Sequence, residues 1–251
     1  MDFSTIKGFN YQPSWGSSGF EIWRNFDADR MGHELALGKC YFPGMNGIRL
    51  WLSHDAWTRN PAAFEKAFDS ALSIAASHGL AVMPVLFNRW HDATLDYGGV
   101  YIDHFLPRVS WVQQVDQTAA FAGAITRAHA GDLRILAWDL CNEPFSYGCP
   151  PGDIPEIVEA EYAWLEQIYH VAKQNGAQAP ITVGIHPGHG LDGIRKIEPI
   201  SDILSIQPYW TFDSPAHDKA VYEALLDDYV RFAGEVDKPL IATETCWGAT
   251  D

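Results

Sequence analysis

Short apolar runs alternate along the chain with longer stretches in which apolar residues recur every three or four positions, the sequence form of repeated strand and helix units. The runs at Ile6–Asn10, Ile48–Leu52, Leu80–Phe87, Arg134–Leu140, Ile181–Ile185, Ile203–Ile206 and Leu240–Thr243 read as seven strands. The segment LAVMPVLF is nearly continuous in apolar character, as a strand covered on both faces of a parallel sheet requires. Between the strands, Asn60 caps and Pro61 opens a helix whose Phe64, Ala67, Phe68, Ala71, Leu72 and Ala75 share one face, and Gly79 ends it. Pro155 opens a second with Ile157, Ala160, Trp164, Ile168 and Val171 on one side, closed by Gly176. Pro215 opens a third with Val221, Leu225, Tyr229 and Phe232. The stretches Val112–Ala130 and Met31–Tyr41 read as further helices.

An α/β fold follows. No glycine-rich fingerprint succeeds the first strand, and polar or aromatic clusters succeed nearly every strand. This favours a (β/α)8 TIM-type barrel, with its site at the C-terminal ends of the strands, over a doubly wound sheet. After the seventh strand no apolar run remains for an eighth strand or its helix. The expectation is a single catalytic barrel domain over residues 1–251, truncated at its C-terminal end and poorly stable alone, because unpaired edge strands invite association. The irregular stretch from Asn88 to Trp111 is expected to wall one side of the cleft.

Charge narrows the partners. The 17 basic and 32 acidic side chains leave a net charge of −15, which repels phosphate backbones and anionic headgroups, so nucleic acid and membranes are not expected partners. The start, MDFSTIKGFN, lacks the basic stretch and apolar core of an export signal, and localisation stays open. Cys40, Cys141, Cys149 and Cys246 are irregularly spaced and read as free thiols. Ten Trp, ten Tyr and 13 Phe supply flat apolar rings suited to packing and to stacking on neutral ligands.

Two carboxylates each directly follow a strand: Glu143 in AWDLCNEPF and Glu244 in PLIATETCWG. In a barrel these strands lie on roughly opposite sides of the axis, so the two side chains converge across its mouth. Paired carboxyl groups flanking a cleft are what glycosidic cleavage needs: one protonates the leaving oxygen while the other meets positive charge at the anomeric carbon. Arg49, on the second strand in IRLWL, is a cation inside the barrel that requires a nearby carboxylate. Glu244 is the expected partner, and a structural pairing with another acid is the alternative.

The Asn142-Glu143-Pro144 triplet after the fourth strand, Glu244 after the seventh and the arginine of IRLWL resemble clan A glycoside hydrolases, most nearly glycoside hydrolase family 5. The resemblance spans the chain from GFNYQPSWG to ETCWG. It implies a retaining β-glycan hydrolase of cellulase or mannanase type acting on oligosaccharide or polysaccharide, without a cofactor or metal. Glu143 would be the acid/base and Glu244 the nucleophile. Asn142 would donate to a sugar 2-hydroxyl, or else merely cap a turn. Tyr209, in SIQPYW, would hydrogen-bond the nucleophile. A histidine is usual in the family two residues before that tyrosine, where this chain has Gln207, and the family histidine past the third strand is matched only loosely by Asn88, Trp90 or His91 in FNRWHD; His91 is preferred. His186, in VGIHPG, would contact a substrate hydroxyl or make a loop hydrogen bond. Trp90, Trp210 and Trp247 are expected to stack on sugar rings, with Trp15 and Trp51 placed to stack or to pack in the core.

Two other readings are open at this point. A barrel lacking strand eight and carrying Gln207 can be a carbohydrate-binding protein without turnover. His54, His91, His186 or His189 with Asp55 or Asp92 can supply a metal-dependent hydrolase, although no compact ligand motif is present.

Overall fold

The computed structural model describes residues 2–89, 105, 115–145, 155–211 and 218–249. In chain order these contain β1 (Gly8–Asn10), α1 (Gly19–Arg24), α2 (Ala28–Tyr41), β2 (Gly47–Trp51), α3 (His54–Arg59), α4 (Pro61–Ser77), β3 (Ala81–Asn88) and α5 (Val115–Ala128). There follow β4 (Trp138–Asn142), α6 (Pro155–Gln174), β5 (Ile181–Ile185), α7 (Gly190–Ile197), β6 (Leu204–Ile206), β7 (Tyr209–Thr211), α8 (Lys219–Glu235), β8 (Leu240–Ala242) and β9 (Cys246–Ala249). Seven strands form one parallel sheet in the order β1-β2-β3-β4-β5-β6-β8, and β7 and β9 form a separate short ribbon. Neighbours in the sheet are neighbours in sequence joined by helices, as the right-handed crossover of a parallel barrel demands.

The local rules read from the sequence operate here. The Asn60 side chain accepts the Ala63 N–H at 3.2 Å, Pro61 takes the first helical position, and Gly79 leaves the helix at φ 69°. The apolar stripe of α4 is fully buried. Every described residue of β4 and β5 is buried, with β3 buried from Val82 onward, so the centre of the sheet is covered on both faces. Phe68, Phe87, Phe121, Leu72 and Ile125 anchor the main core between sheet and helices. Inside the sheet, Met83, Leu136, Ala137 and Ile203 form a smaller apolar plug at the end remote from the site.

Several boundaries move. The strand expected at Arg134–Leu140 begins only at Trp138 and runs to Asn142; Ile135 touches β3 through an isolated bridge. The short helices α1, α3 and α7 follow strands within connections that periodicity could not resolve at such length. The helix expected to open at Pro215 starts at Lys219, capped by Asp218. Among the described residues β1 and β8 are the two edges of the sheet. Phe3, Ile6, Phe9, Met83, Leu136 and Ile241 help to line a cavity of about 240 Å³ that reaches from one edge to the other.

Candidate active site

The C-terminal ends of the strands carry a continuous polar network centred on Arg49. This side chain is 4% exposed and rises from β2, whose neighbours are otherwise apolar. Its Nε and Nη2 donate to Asp139 Oδ2 at 3.0 and 2.7 Å, and Nη2 also donates to Asn142 Oδ1 at 2.8 Å. Nη1 donates to Glu244 Oε1 and reaches Asn10 Oδ1 at 3.4 Å. Both pairings foreseen for Arg49 therefore occur together. Burial opposes the guanidinium charge, yet Asp139 and Glu244 outweigh it and hold the group above the ordinary arginine range. The Trp51 ring lies 4.6 Å from the guanidinium carbon, a cation–π contact on its remaining face.

Asp139 escaped the sequence reading. It is fully buried and accepts, besides Arg49, the N–H groups of Cys141 and Gly184, each at 3.2 Å. The available signal was an acid in the otherwise apolar strand of AWDLCNEP, since a charge buried in a central strand requires partners. Gly184 was missed too. A Cβ there would stand 3.0 Å from Arg49 Nη2, 3.0 Å from Gln207 Nε2 and 3.2 Å from Asp139 Oδ2, so any side chain would press the network aside where it crosses β5. A glycine inside the strand ITVGI is the usual mark of such a close approach.

Glu244 follows β8 and receives two side-chain donors, Arg49 on Oε1 and the Tyr209 hydroxyl on Oε2. Across from it, Glu143 directly follows β4 and is 5% exposed. Its backbone takes φ 49° and its N–H donates to Gly184 O at 2.8 Å; Phe145, two residues on, takes φ 65°. Two non-glycine residues in the left-handed region cost about 1–3 kcal/mol each and persist only where the surroundings fix them. The turn folds the Glu143 carboxyl into the interior, where its pKa is pushed up to about 8, first by burial and then by the Glu244 charge, with Arg49 pulling the other way. The carboxyls thus sense one another across the mouth of the sheet.

Asn142 is held on both sides. Its Nδ2 donates to Asn88 Oδ1 at 2.9 Å, and its Oδ1 accepts from Arg49 and from Gln207 Nε2 at 3.0 Å. It belongs to the network rather than capping a turn, and Gln207, 1% exposed, is one of its anchors. His186 accepts the Gly188 N–H on Nδ1 at 3.0 Å, which makes it a loop organiser. It also flanks the site: burial and then His189 lower its pKa, while Glu244 raises it.

Trp210 is half-buried on β7, in register with Trp247 of β9. Trp15 and Trp51 are half-buried as well, Trp15 donating its indole N–H to Ile22 O at 2.9 Å. Trp90, His91 and Asp92 lie outside the described residues, as does most of the Asn88–Trp111 stretch. Among the described residues no three His, Cys, Asp or Glu side chains gather to hold a metal ion, and no helix is long and apolar enough to cross a membrane. His54 packs against the Phe87 and Phe121 rings, with centroids 6.2 and 5.8 Å away.

No protein-family model matches the chain. A mannan endo-1,4-beta-mannosidase 2 of Oryza sativa subsp. japonica is 24% identical over 273 residues, covering 80% of this chain and 56% of that protein. Among solved structures, the beta-glucanase SdGluc5_26A of Saccharophagus degradans superposes with a TM-score of 0.68 at 20% identity, covering 98% of this chain and 69% of that one. The GH5_18 protein of Streptomyces cattleya, in complex with GlcNAc, gives 0.61 at 18% identity over 81% of this chain and 51% of its own. The chain spans just over half the length of the mannosidase it matches. These likenesses establish a TIM-type barrel fold with part of the barrel unfilled among the described residues, and they bear out the resemblance to clan A glycoside hydrolases, most nearly family 5.

Proposed function

We propose that the chain carries the active site of a retaining hydrolase of β-linked glycans, mannan-like or cellulose-like. The observation that supports this most directly is the contrast between the two carboxyls. Glu143 is buried and keeps its proton to about pH 8, whereas Glu244 is addressed on both oxygens by donors. Environments that differ in this way assign an acid and a nucleophile to one cleft. The mannanase and glucanase likenesses support the substrate class.

In the first step the protonated Glu143 donates to the glycosidic oxygen as the C1–O bond breaks, while a Glu244 oxygen bonds to C1. Arg49 and Tyr209 fix the direction from which Glu244 approaches, which lowers the entropy cost of reaching the attack geometry. Glu143, now a carboxylate, takes a proton from water as that water attacks C1 and releases Glu244. Asn142, gripped by Asn88 and Gln207, presents its second amide hydrogen to the sugar 2-hydroxyl, a contact that strengthens in the transition state.

Incubation with 2-deoxy-2-fluoro mannosides and glucosides, followed by peptide mass mapping, tests the assignment. The expected product is a glycosyl adduct on Glu244. Turnover with the label on another residue, or with inversion at the anomeric carbon, would overturn it. Sugar binding without hydrolysis by the parent chain would favour a binding-only barrel.

A further inference from the structure

Behind the Glu143 turn lies a second buried ion pair that the mechanism above does not use. Glu161, on the inner face of α6, is fully buried, and Arg89, immediately after β3, is 1% exposed. Arg89 Nε donates to Glu161 Oε1 at 2.7 Å. The other carboxylate oxygen, Oε2, accepts the backbone N–H of Phe145 at 3.1 Å. The Arg89 backbone N–H donates to Asn142 O at 2.9 Å. The pair therefore grips the Asn142–Phe145 segment from both ends, and the gripped residues include the two left-handed ones, Glu143 and Phe145. Pro144 has no N–H to offer, so the Phe145 N–H and the Glu143 N–H to Gly184 are the turn's own donors. Phe105 covers the guanidinium, its ring centroid 5.4 Å from the Arg89 guanidinium carbon.

A buried ion pair contributes little net stability compared with a well-packed apolar pair of the same volume, so stability alone gives it no reason to be there. Its geometry does. We propose that Arg89 and Glu161 are positioning residues for the Glu143 carboxyl: Glu161 fixes the left-handed turn through the Phe145 N–H, and Arg89 fixes Glu161 to the end of β3. The inference rests on Glu143 being the acid/base. Sequence alone left it hidden, because Glu161 falls on the apolar stripe of its helix, one turn beyond Ile157, and Arg89 stands between more conspicuous neighbours in FNRWHD.

The test uses the full chain carrying Arg89→Met together with Glu161→Leu, which removes the turn's acceptor along with the arginine that pairs with it, with Glu161→Gln as the conservative partner. The first readout is leaving-group dependence. An unactivated β-linked oligosaccharide needs protonation of its leaving oxygen, whereas a dinitrophenyl glycoside does not. The double variant should lose on the order of 10²-fold in kcat/KM on the former, stay within about threefold on the latter, and be partly rescued in Glu161→Gln, whose amide oxygen still accepts the Phe145 N–H. Equal losses on both substrates, or none on either, in a folded double variant would overturn the proposal.

The second readout is independent of turnover. In a ¹³C-carboxyl titration of glutamate-labelled protein, with Glu143 assigned by its absence in Glu143→Gln, the Glu143 midpoint should fall toward the ordinary carboxylate range in the double variant. Glu244 and Arg49, the charged groups facing it, are unaltered there. An unmoved midpoint would count against positioning whatever the rates do. If Glu143→Gln itself shows no leaving-group signature, the acid/base reading fails, and the titration still decides whether Glu161 places this carboxyl.

Discussion

Arg49 and Arg89 are equally sequestered, 4% and 1% exposed, and both hold buried carboxylates, yet they are wired differently. Arg49 reaches across the sheet: Asn10 from β1, Asp139 and Asn142 from β4 and Glu244 after β8 all lie on its fork, so one guanidinium ties together strands distant in sequence. Arg89 works between two neighbouring strand–helix units, joining the end of β3 to α6 and, through Glu161, to the turn that follows β4. The comparison shows that burial does not measure indispensability. An ion pair built around one carboxylate, as Arg89 and Glu161 form among the described residues, can be exchanged for apolar packing, whereas a cation shared among four polar partners cannot, because removing it withdraws a donor from all of them.

The largest effect should follow Arg49→Met, which leaves Asp139 buried without its counter-ion and frees Glu244. A loss of about 3–5 kcal/mol in urea unfolding is expected, together with turnover near background. Arg89→Met alone should cost a similar amount by stranding Glu161. Adding Glu161→Leu should then restore most of that stability, while adding Asp139→Leu to Arg49→Met should not, since Asn142 and Glu244 each still lack their Arg49 donor and are left with Gln207 and Tyr209. Equal rescue in the two double variants would erase the distinction drawn above.

Next in size is the pH behaviour of Glu143. Its folded-state pKa, about 8, exceeds the ordinary 4.5, so the folded state holds the proton more tightly than the unfolded chain does. Stability from this group is complete below about pH 4.5 and is lost as the pH climbs toward 8. Glu143→Gln should therefore gain stability relative to the parent across that window, by more than about 1 kcal/mol at its upper end. In the parent, kcat/KM on an unactivated glycan should fall as the pH passes about 8, and that limb should vanish in the variant. A melt difference independent of pH would show that Glu143 is not held protonated.

Gly184→Ala probes the Arg49 network without touching a charge. The new Cβ, 3.0 Å from Arg49 Nη2, forces the network to shift; about 1–3 kcal/mol of stability and tenfold or more in kcat/KM should be lost. The smallest effect belongs to an arginine in water. Arg231, paired with Asp228 on the outer face of α8, is 64% exposed, and Arg231→Ala should change stability by less than about 0.5 kcal/mol.

Much of this arrangement was legible beforehand for a local reason. A parallel strand ends where its apolar run ends, and in a barrel the next few residues line the mouth, so Glu143 and Glu244 could be named from their places after strands and Arg49 as a cation within IRLWL, while Asn142 and Tyr209 were named from the resemblance carried by NEP and SIQPYW. Helix α4 was legible because its cap, proline and terminal glycine act within a few residues. Asp139, Gly184, Arg89 and Glu161 were not singled out, although each leaves a faint mark as a polar or small residue where an apolar one belongs. Such a mark announces a partner without naming it.

The sequence by itself determined the alternation of strands and helices, the hydrophobic faces and the set of chemical groups delivered to one end of the sheet, because these depend on periodicity and on contacts within a few residues. Only the tertiary structure decided which acid each buried arginine serves, that Gln207 steadies Asn142, and that Glu143 turns inward through a strained backbone. Those outcomes depend on distances between residues far apart in the chain, and a buried charge takes whichever partners the packed strands bring within hydrogen-bonding reach.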